Sequence, residues 1–367
     1  MKLSGIIFSD THRGFDISLT KNRTSASVPF GGRYRFIDFA LSNMTNSGIS
    51  SICAVTGQNS RSLMDHVGGG SVWDLSRKGA DFFVLPSVTA PFFRGSLEAM
   101  AGCRDFVKRC DADYIVLCDS SVLCNIDYRN ALESHIKSGA DITAVCNSIS
   151  KEYELDSEDL NAELREGRVT KLYTGWSDGN TCTGMGMYIM TPSILADALD
   201  VGTKSGKYSF EKDYLVPGFN NGSVKVNAFV FDGVVLRNPN AISYFKNNFL
   251  TNNTDVRKEL FRSDSPIRTK VRDSGPAVLR RGASLKNTTV ADGCIIRGTL
   301  QDCILFRDVV VDEGASVRGS ILMQGTYIGK NAEVSYTVTD KNVTVSQDAV
   351  LSGAPSAPLI ISKGVTV

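Results

Sequence analysis

A chain of 367 residues exceeds the ~250–300 residues at which a single core stops growing, so two or more domains are expected. Its 42% hydrophobic and 22% charged residues are those of an ordinary globular protein, which excludes a disordered or fibrous chain. Forty basic against thirty-nine acidic residues give a net charge of +1, so no global field favours nucleic acid or an anionic membrane and any phosphate binding must be local.

The opening MKLSGIIFSD carries an apolar run far below the ~15–30 residues of a signal peptide, and no later run approaches the ~18 needed to span a bilayer. A cytoplasmic protein is expected, with no membrane and no nucleic-acid partner. The cysteines (Cys53, Cys103, Cys110, Cys118, Cys124, Cys146, Cys182, Cys294 and Cys303) are odd in number and none is spaced CxxC. That argues against a disulfide framework or zinc site and for buried, reduced thiols.

Residues 1–240 alternate short β-rich runs with helical patterns. LSGIIF, SICAVTG, ADYIVLCD and ADITAVCN have the texture of buried parallel strands, with the amphipathic stretches SLEAMAGCRDFVKRC and YRNALESHIKSG between them. That order predicts an α/β sheet with right-handed crossovers. A second apolar set, VTKLYTG, GMGMYIM and KVNAFVFDGVVLR, extends the sheet or builds a flap beside it.

Residues 241–276 form a helical linker: Ile242, Phe245, Phe249 and Leu250 make an apolar stripe, and RSDSPIRTKVRDSGPA follows as connecting chain. From 277 to 367 apolar residues recur about every six positions, through Val278, Leu285, Val290, Ile296, Ile304, Val310, Val317, Ile321, Ile328, Val334, Val338, Val345 and Val350. This is the pattern of a β-helical solenoid, whose open end invites a partner subunit; a β-sandwich would space its turns by ~8–12 residues. His12, His66 and His135 are scattered and none lies in the solenoid, which removes the general base an acyltransferase on such a solenoid needs.

Five strings are diagnostic: VPFGGRYRFIDFALSNMTNSGI (28–49), LMDHVGGGSVWDL (63–75), FFRGSLEAM (92–100), GMGMYI (184–189) and the long solenoid stretch from TVADGC to DKNV (289–343). Together and in this order they resemble glucose-1-phosphate adenylyltransferase. The resemblance implies a Rossmann-like nucleotidyltransferase domain followed by a left-handed parallel β-helix. It also implies a Mg2+-assisted displacement in which a sugar phosphate attacks the α-phosphate of ATP and pyrophosphate leaves. Charge building up at that phosphorus needs N–H donors, cations and metal-binding carboxylates.

The family's motifs for these groups fall on altered residues. Its GGGxGTR loop lies, without a gap, on Ser9, Asp10, Thr11, His12, Arg13, Gly14 and Phe15. The leading glycines are gone, the arginine is Phe15, and Asp10 adds like charge where triphosphate would approach. The lysine before VPFGG falls on Ser25, that of the EKP motif on Gly175, and the second metal aspartate on Asn238. The first metal aspartate is retained as Asp119, which also suits a turn cap at a strand end. The glycines of HVGGGSVWDL are either a phosphate cradle or a tight loop against Trp73.

In GGRYR, Arg33 falls where the family carries a basic residue associated with a phosphorylated activator; Arg33 and Arg35 are the candidate effector contacts, solvated charge being the alternative. Loss of one charge-stabilising group costs about 10²–10³ in rate. With Phe15, Ser25, Gly175 and Asn238 all altered, the resemblance implies a GlgD-type chain, a regulatory subunit with little activity of its own. Its partner would be a catalytic subunit in a hetero-oligomer, a tetramer in the family, and Mg2+ would not be held catalytically. The alternatives are a weak stand-alone adenylyltransferase rebuilt on His12, Arg13 or Lys21, and a sugar-phosphate sensor without an enzyme partner.

Overall fold

The computed structural model describes residues 1–10, 17–86, 93–148, 159–175, 179 and 181–367. A nine-stranded sheet organises the N-terminal part: β1 (Leu3–Phe8), β2 (Ser51–Thr56), β3 (Asp81–Pro86), β4 (Tyr114–Asp119), β5 (Ile142–Ser148), β6 (Leu160–Arg165), β7 (Arg168–Thr174), β8 (Cys182–Met190) and β9 (Val226–Phe231). β3, β2, β1 and β4 pair in parallel in that order, and β5 pairs in parallel with β9.

Between β4 and β5 lies β8, antiparallel to both. The GMGMYIM run therefore joins the sheet, the first of the two placements expected from sequence, and lies inside it between β4 and β5, not at an edge. The reason is its double-sided apolar character: Met185, Met187 and Ile189 enter one core cluster, Tyr188 and Met190 the other. Gly186 sits in a bulge at φ +63°, and a Cβ there would stand 2.8 Å from the Asp119 Cβ, so only glycine lets β8 pass the end of β4. The β6–β7 hairpin turns on Glu166 and Gly167, both at positive φ, and adds to the first half of β8.

The amphipathic stretch after residue 95 divides into helices Ser96–Ala101 and Arg104–Arg109, broken at Gly102, the poorest non-proline helix former. YRNALESHIKS forms one helix, Tyr128–Ser138, capped by Asp127. Helices Ala241–Leu250 and Thr254–Leu260 are capped by the side chains of Asn240 and Asn253.

From residue 278 onward short strands stack into three five-stranded parallel sheets, a left-handed β-helix. Leu285, Leu300, Val317, Val334 and Leu351 lie in register up one sheet. Corners are turned by Asn and Asp in the left-handed region, including Asn287, Asp302, Asn331 and Asp348. They also bond between coils: Asn287 Nδ2 donates to Asp302 Oδ1 at 2.7 Å and Asn331 Nδ2 to Asp348 Oδ1 at 3.0 Å.

One face of the solenoid packs on the rest of the chain. Ile304, Ile321, Met323 and Val338 share a cluster with Val28, Phe30, Phe36, Phe39, Tyr244, Phe245 and Leu260, so the 241–260 helices form a wedge inside this contact. The contact is clamped by Arg23 and Asp340, which bond twice through Nη2, at 2.6 and 2.7 Å, with side chains only 3% and 2% exposed.

Candidate functional site

The carboxyl ends of parallel strands are where open α/β sheets bind ligands. There, among the described residues, a cavity of about 70 Å³ is lined by Asp119, Asp159, Tyr188, Glu211 and Arg237, with Ser96 and Ser209 at its wall. Asp119, the last residue of β4, is buried and its Oδ1 accepts from Ser121 N at 2.7 Å, a turn-capping contact. Asn238 is fully buried. Its Nδ2 donates to the Ser121 and Leu236 carbonyls, both at 3.0 Å, and its Oδ1 accepts from Asn247 at 3.1 Å.

Arg237 had drawn no notice in the sequence, yet it dominates this cavity. Its Nη2 donates to Asn147 Oδ1 at 2.7 Å and to the Gly184 carbonyl at 2.5 Å, and its Nη1 lies 3.9 Å from Asp159. Glu211 also went unnoticed. Burial pushes its carboxyl pKa up, opposed by hydroxyl donors from Ser96 at 2.8 Å, Tyr188 at 2.9 Å and Ser209 at 3.3 Å. The available signal was adjacency alone: Arg237 precedes the altered metal position in VVLRNPNA.

The donor set does not fit a divalent cation. Asn238 is neutral with its oxygen bonded, Asp119 Oδ1 already accepts from main chain, and the Arg237 guanidinium adds positive charge to the cavity that Asp119 lines. Among the described residues no three His, Cys, Asp or Glu side chains gather as a metal site.

Along the loop after β1, Phe15 lies outside the described residues, as do His12 and Arg13. Ser25 is buried and bonded to Asp10 through both its N–H and its hydroxyl. Lys21 is exposed. Gly175, at φ +81°, closes the β6–β7 hairpin, donating to the Asp159 carbonyl at 3.0 Å and accepting from Asn161 at 2.8 Å. In HVGGG the glycines end helix Arg61–Val67. They turn against buried Trp73, whose Nε1 donates to Ser42 Oγ at 3.2 Å, and this supports the tight-loop reading.

The two arginines of GGRYR part company. Arg35 donates to the Ser62 carbonyl at 2.7 Å and to Ser62 Oγ at 3.1 Å, while its main chain is capped by Asp38. Burial lowers its pKa to about 10. Asp38 in turn meets His66 Nε2 at 2.6 Å. Arg33 is exposed and lines a second cavity of about 390 Å³ between the GGRYR turn, the 254–260 helix and the solenoid. Arg257, Arg272 and Arg307 share that cavity, against Asp292. Burial, then the positive charges of Arg272 and Arg33, lower the Arg307 pKa. None of these four arginines pairs with a carboxylate among the described residues.

A mixed α/β sheet with its cavity at the strand ends, carrying a hexapeptide solenoid, defines a nucleotidyltransferase-type protein. The family model for nucleotidyl transferase matches residues 17–233, and that for the GlmU-like C-terminal hexapeptide matches residues 276–356. The chain is 28% identical to the glycogen biosynthesis protein GlgD of Bacillus subtilis (strain 168), covering 99% of this chain and 96% of that one. It is 32% identical to GlgD of Geobacillus stearothermophilus, covering 86% and 83%. A glucose-1-phosphate adenylyltransferase of Bacillus thuringiensis (strain Al Hakam) is 26% identical, covering 91% and 90%. The chain belongs to the nucleotidyl transferase family, in the branch of GlgD and glucose-1-phosphate adenylyltransferase.

Proposed function

We propose that this chain is a GlgD-type subunit of a glucose-1-phosphate adenylyltransferase in glycogen biosynthesis, non-catalytic by itself and acting on the turnover of a catalytic partner in the cytoplasm. The observation that carries the reading is Asn238: the position of the second metal carboxylate holds a neutral side chain bonded on both its nitrogen and its oxygen. Gly175 offers no cation where the family has a lysine, and Ser25 is bonded to Asp10. The altered Phe15 belongs to the same argument from sequence. Among the described residues no helix is long and apolar enough to cross a membrane.

The partner is a catalytic paralogue in a hetero-oligomer, a tetramer by analogy with the family. Docking through the solenoid is supported by its last coil, where Val350 is 68% exposed. The effector is a phosphorylated sugar bound in the Arg33 cleft, where three further arginines supply bidentate donors. Arg35 serves that site from behind, by fixing the helix that follows GGRYR. Coupling of about 1–3 kcal/mol between cleft and partner accounts for regulation.

The test is ADP-glucose formation from ATP, glucose 1-phosphate and Mg2+ by the purified chain, the catalytic paralogue and their mixture. The chain alone is expected to be near background, and the mixture to form a mixed oligomer on gel filtration with altered kcat or effector response. Robust turnover by the chain alone, abolished by Asp119→Ala, overturns the proposal. So does an unchanged paralogue with no mixed oligomer.

A further inference from the structure

The loop after β1 keeps the length of a phosphate loop but not its glycines, and its described start, Ser9 and Asp10, shows what stands at the first two of those positions. Asp10 lies in the left-handed region at φ 62°, a conformation that costs a non-glycine residue about 1 kcal/mol or more and that Asp tolerates better than most. From there its carboxylate gathers donors from three separate segments. Oδ1 accepts from Ser25 N at 2.7 Å; Oδ2 accepts from Gly57 N at 2.9 Å and from Ser9 Oγ at 3.0 Å. The Asp10 N–H donates to Ser25 Oγ at 3.0 Å.

These segments follow β1, follow β2 and precede Pro29, so the donors converge at the carboxyl edge of the parallel strands. Main-chain N–H groups converging on one point form an anion site. A carboxylate satisfies it as a phosphate would, with two negatively charged oxygens taking charge-assisted bonds. Like charge then opposes the entry of a second anion.

We propose that Asp10 is a built-in anion occupying the phosphate position of this loop, so that the chain excludes a polyphosphate there. The proposal rests on the family alignment of residues 9–15, and it is independent of the partner subunit and of the Arg33 cleft.

The experiment is a calorimetric titration of the full chain with inorganic tripolyphosphate, without divalent metal. It is run in an Arg33→Ala, Arg307→Met background so that the cleft does not contribute. The chain with Asp10 in place is expected to give no saturable binding at millimolar ligand. Asp10→Gly restores a residue suited to φ 62° and frees both N–H groups; it is expected to bind at least about tenfold more tightly. Asp10→Asn keeps the shape, removes the charge and is expected to gain less. It serves as the deciding variant if Asp10→Gly loses its circular-dichroism spectrum. Equal binding by the chain with Asp10 and by the variant overturns the proposal, and so does a folded variant with no gain.

Discussion

The strand-end cavity and the Arg33 cleft hold comparable numbers of charged side chains and differ in how those charges are answered. In the cavity the chain answers itself: Arg237 is bonded to Asn147 and Gly184, and Glu211 takes three hydroxyls; behind its wall the buried Asn238 is bonded through both its nitrogen and its oxygen. In the cleft four arginines face Asp292, and burial, then the charges of Arg272 and Arg33, lower the Arg307 pKa. A satisfied polar network is stable without a ligand, whereas clustered like charges store repulsion that an incoming anion relieves. The phosphorylated-ligand site proposed for the chain is therefore the cleft between sheet and solenoid and not the strand-end cavity.

Substitutions should separate the two regions by which property they move. The largest loss of stability is expected at the Arg23–Asp340 clamp, which holds the solenoid against the rest of the chain. Arg23→Met leaves Asp340 buried without its cation and should cost about 3–5 kcal/mol, read as a fall in the urea midpoint. In the cavity, Arg237→Met strips the donors from Asn147 Oδ1 and the Gly184 carbonyl. It should cost about 1–3 kcal/mol in the same assay without changing effector affinity. A cost below that range would mean that the cavity is less self-sufficient than its bonds imply.

The cleft should respond in the opposite sense. Arg307→Met is expected to leave stability within about 0.5 kcal/mol. It should weaken phosphorylated-sugar binding about tenfold, the loss of one charge-assisted contact, measured by calorimetry. Stability that falls while affinity holds would refute the contrast.

A further effect expected is one of pH. Lys341, on the solenoid side of the same basic region, has its pKa lowered from 10.5 to about 7 by burial, then by Arg35 and Arg23. The folded chain therefore disfavours the protonated form. Between about pH 7 and pH 10.5 the unfolded chain binds more protons, so this residue's penalty falls as pH rises. Lys341→Met should be more stable than the natural chain at pH 7 and below, with the gap closing towards pH 10.5 in paired denaturation curves.

Much of this was legible in the sequence. Leu3–Phe8, Ser51–Thr56, Tyr114–Asp119 and Ile142–Ser148 stand out because strands buried on both faces are continuously apolar. The solenoid shows itself because stacking coils impose a period on the chain, and the altered Ser25, Gly175 and Asn238 are visible because family strings on either side hold the alignment. Leu160–Arg165 passed unnoticed because its charged and polar residues mask a short strand whose partner is an adjacent hairpin arm. GMGMYIM was legible as a strand but not as the one seated between Tyr114–Asp119 and Ile142–Ser148, since apolarity on both faces says that a strand is covered and not by which neighbours.

By itself, then, the amino-acid sequence determined the fold class, the solenoid and the family, all of which rest on local periodicity and on ordered strings. Only the tertiary structure decided which distant residues meet. Asp10 meets Gly57, Arg23 meets Asp340, and Arg33 shares a cleft with Arg272 and Arg307. Those partners are distant along the chain, and what brings them together is the order of the strands and the seating of the solenoid, which no local pattern encodes.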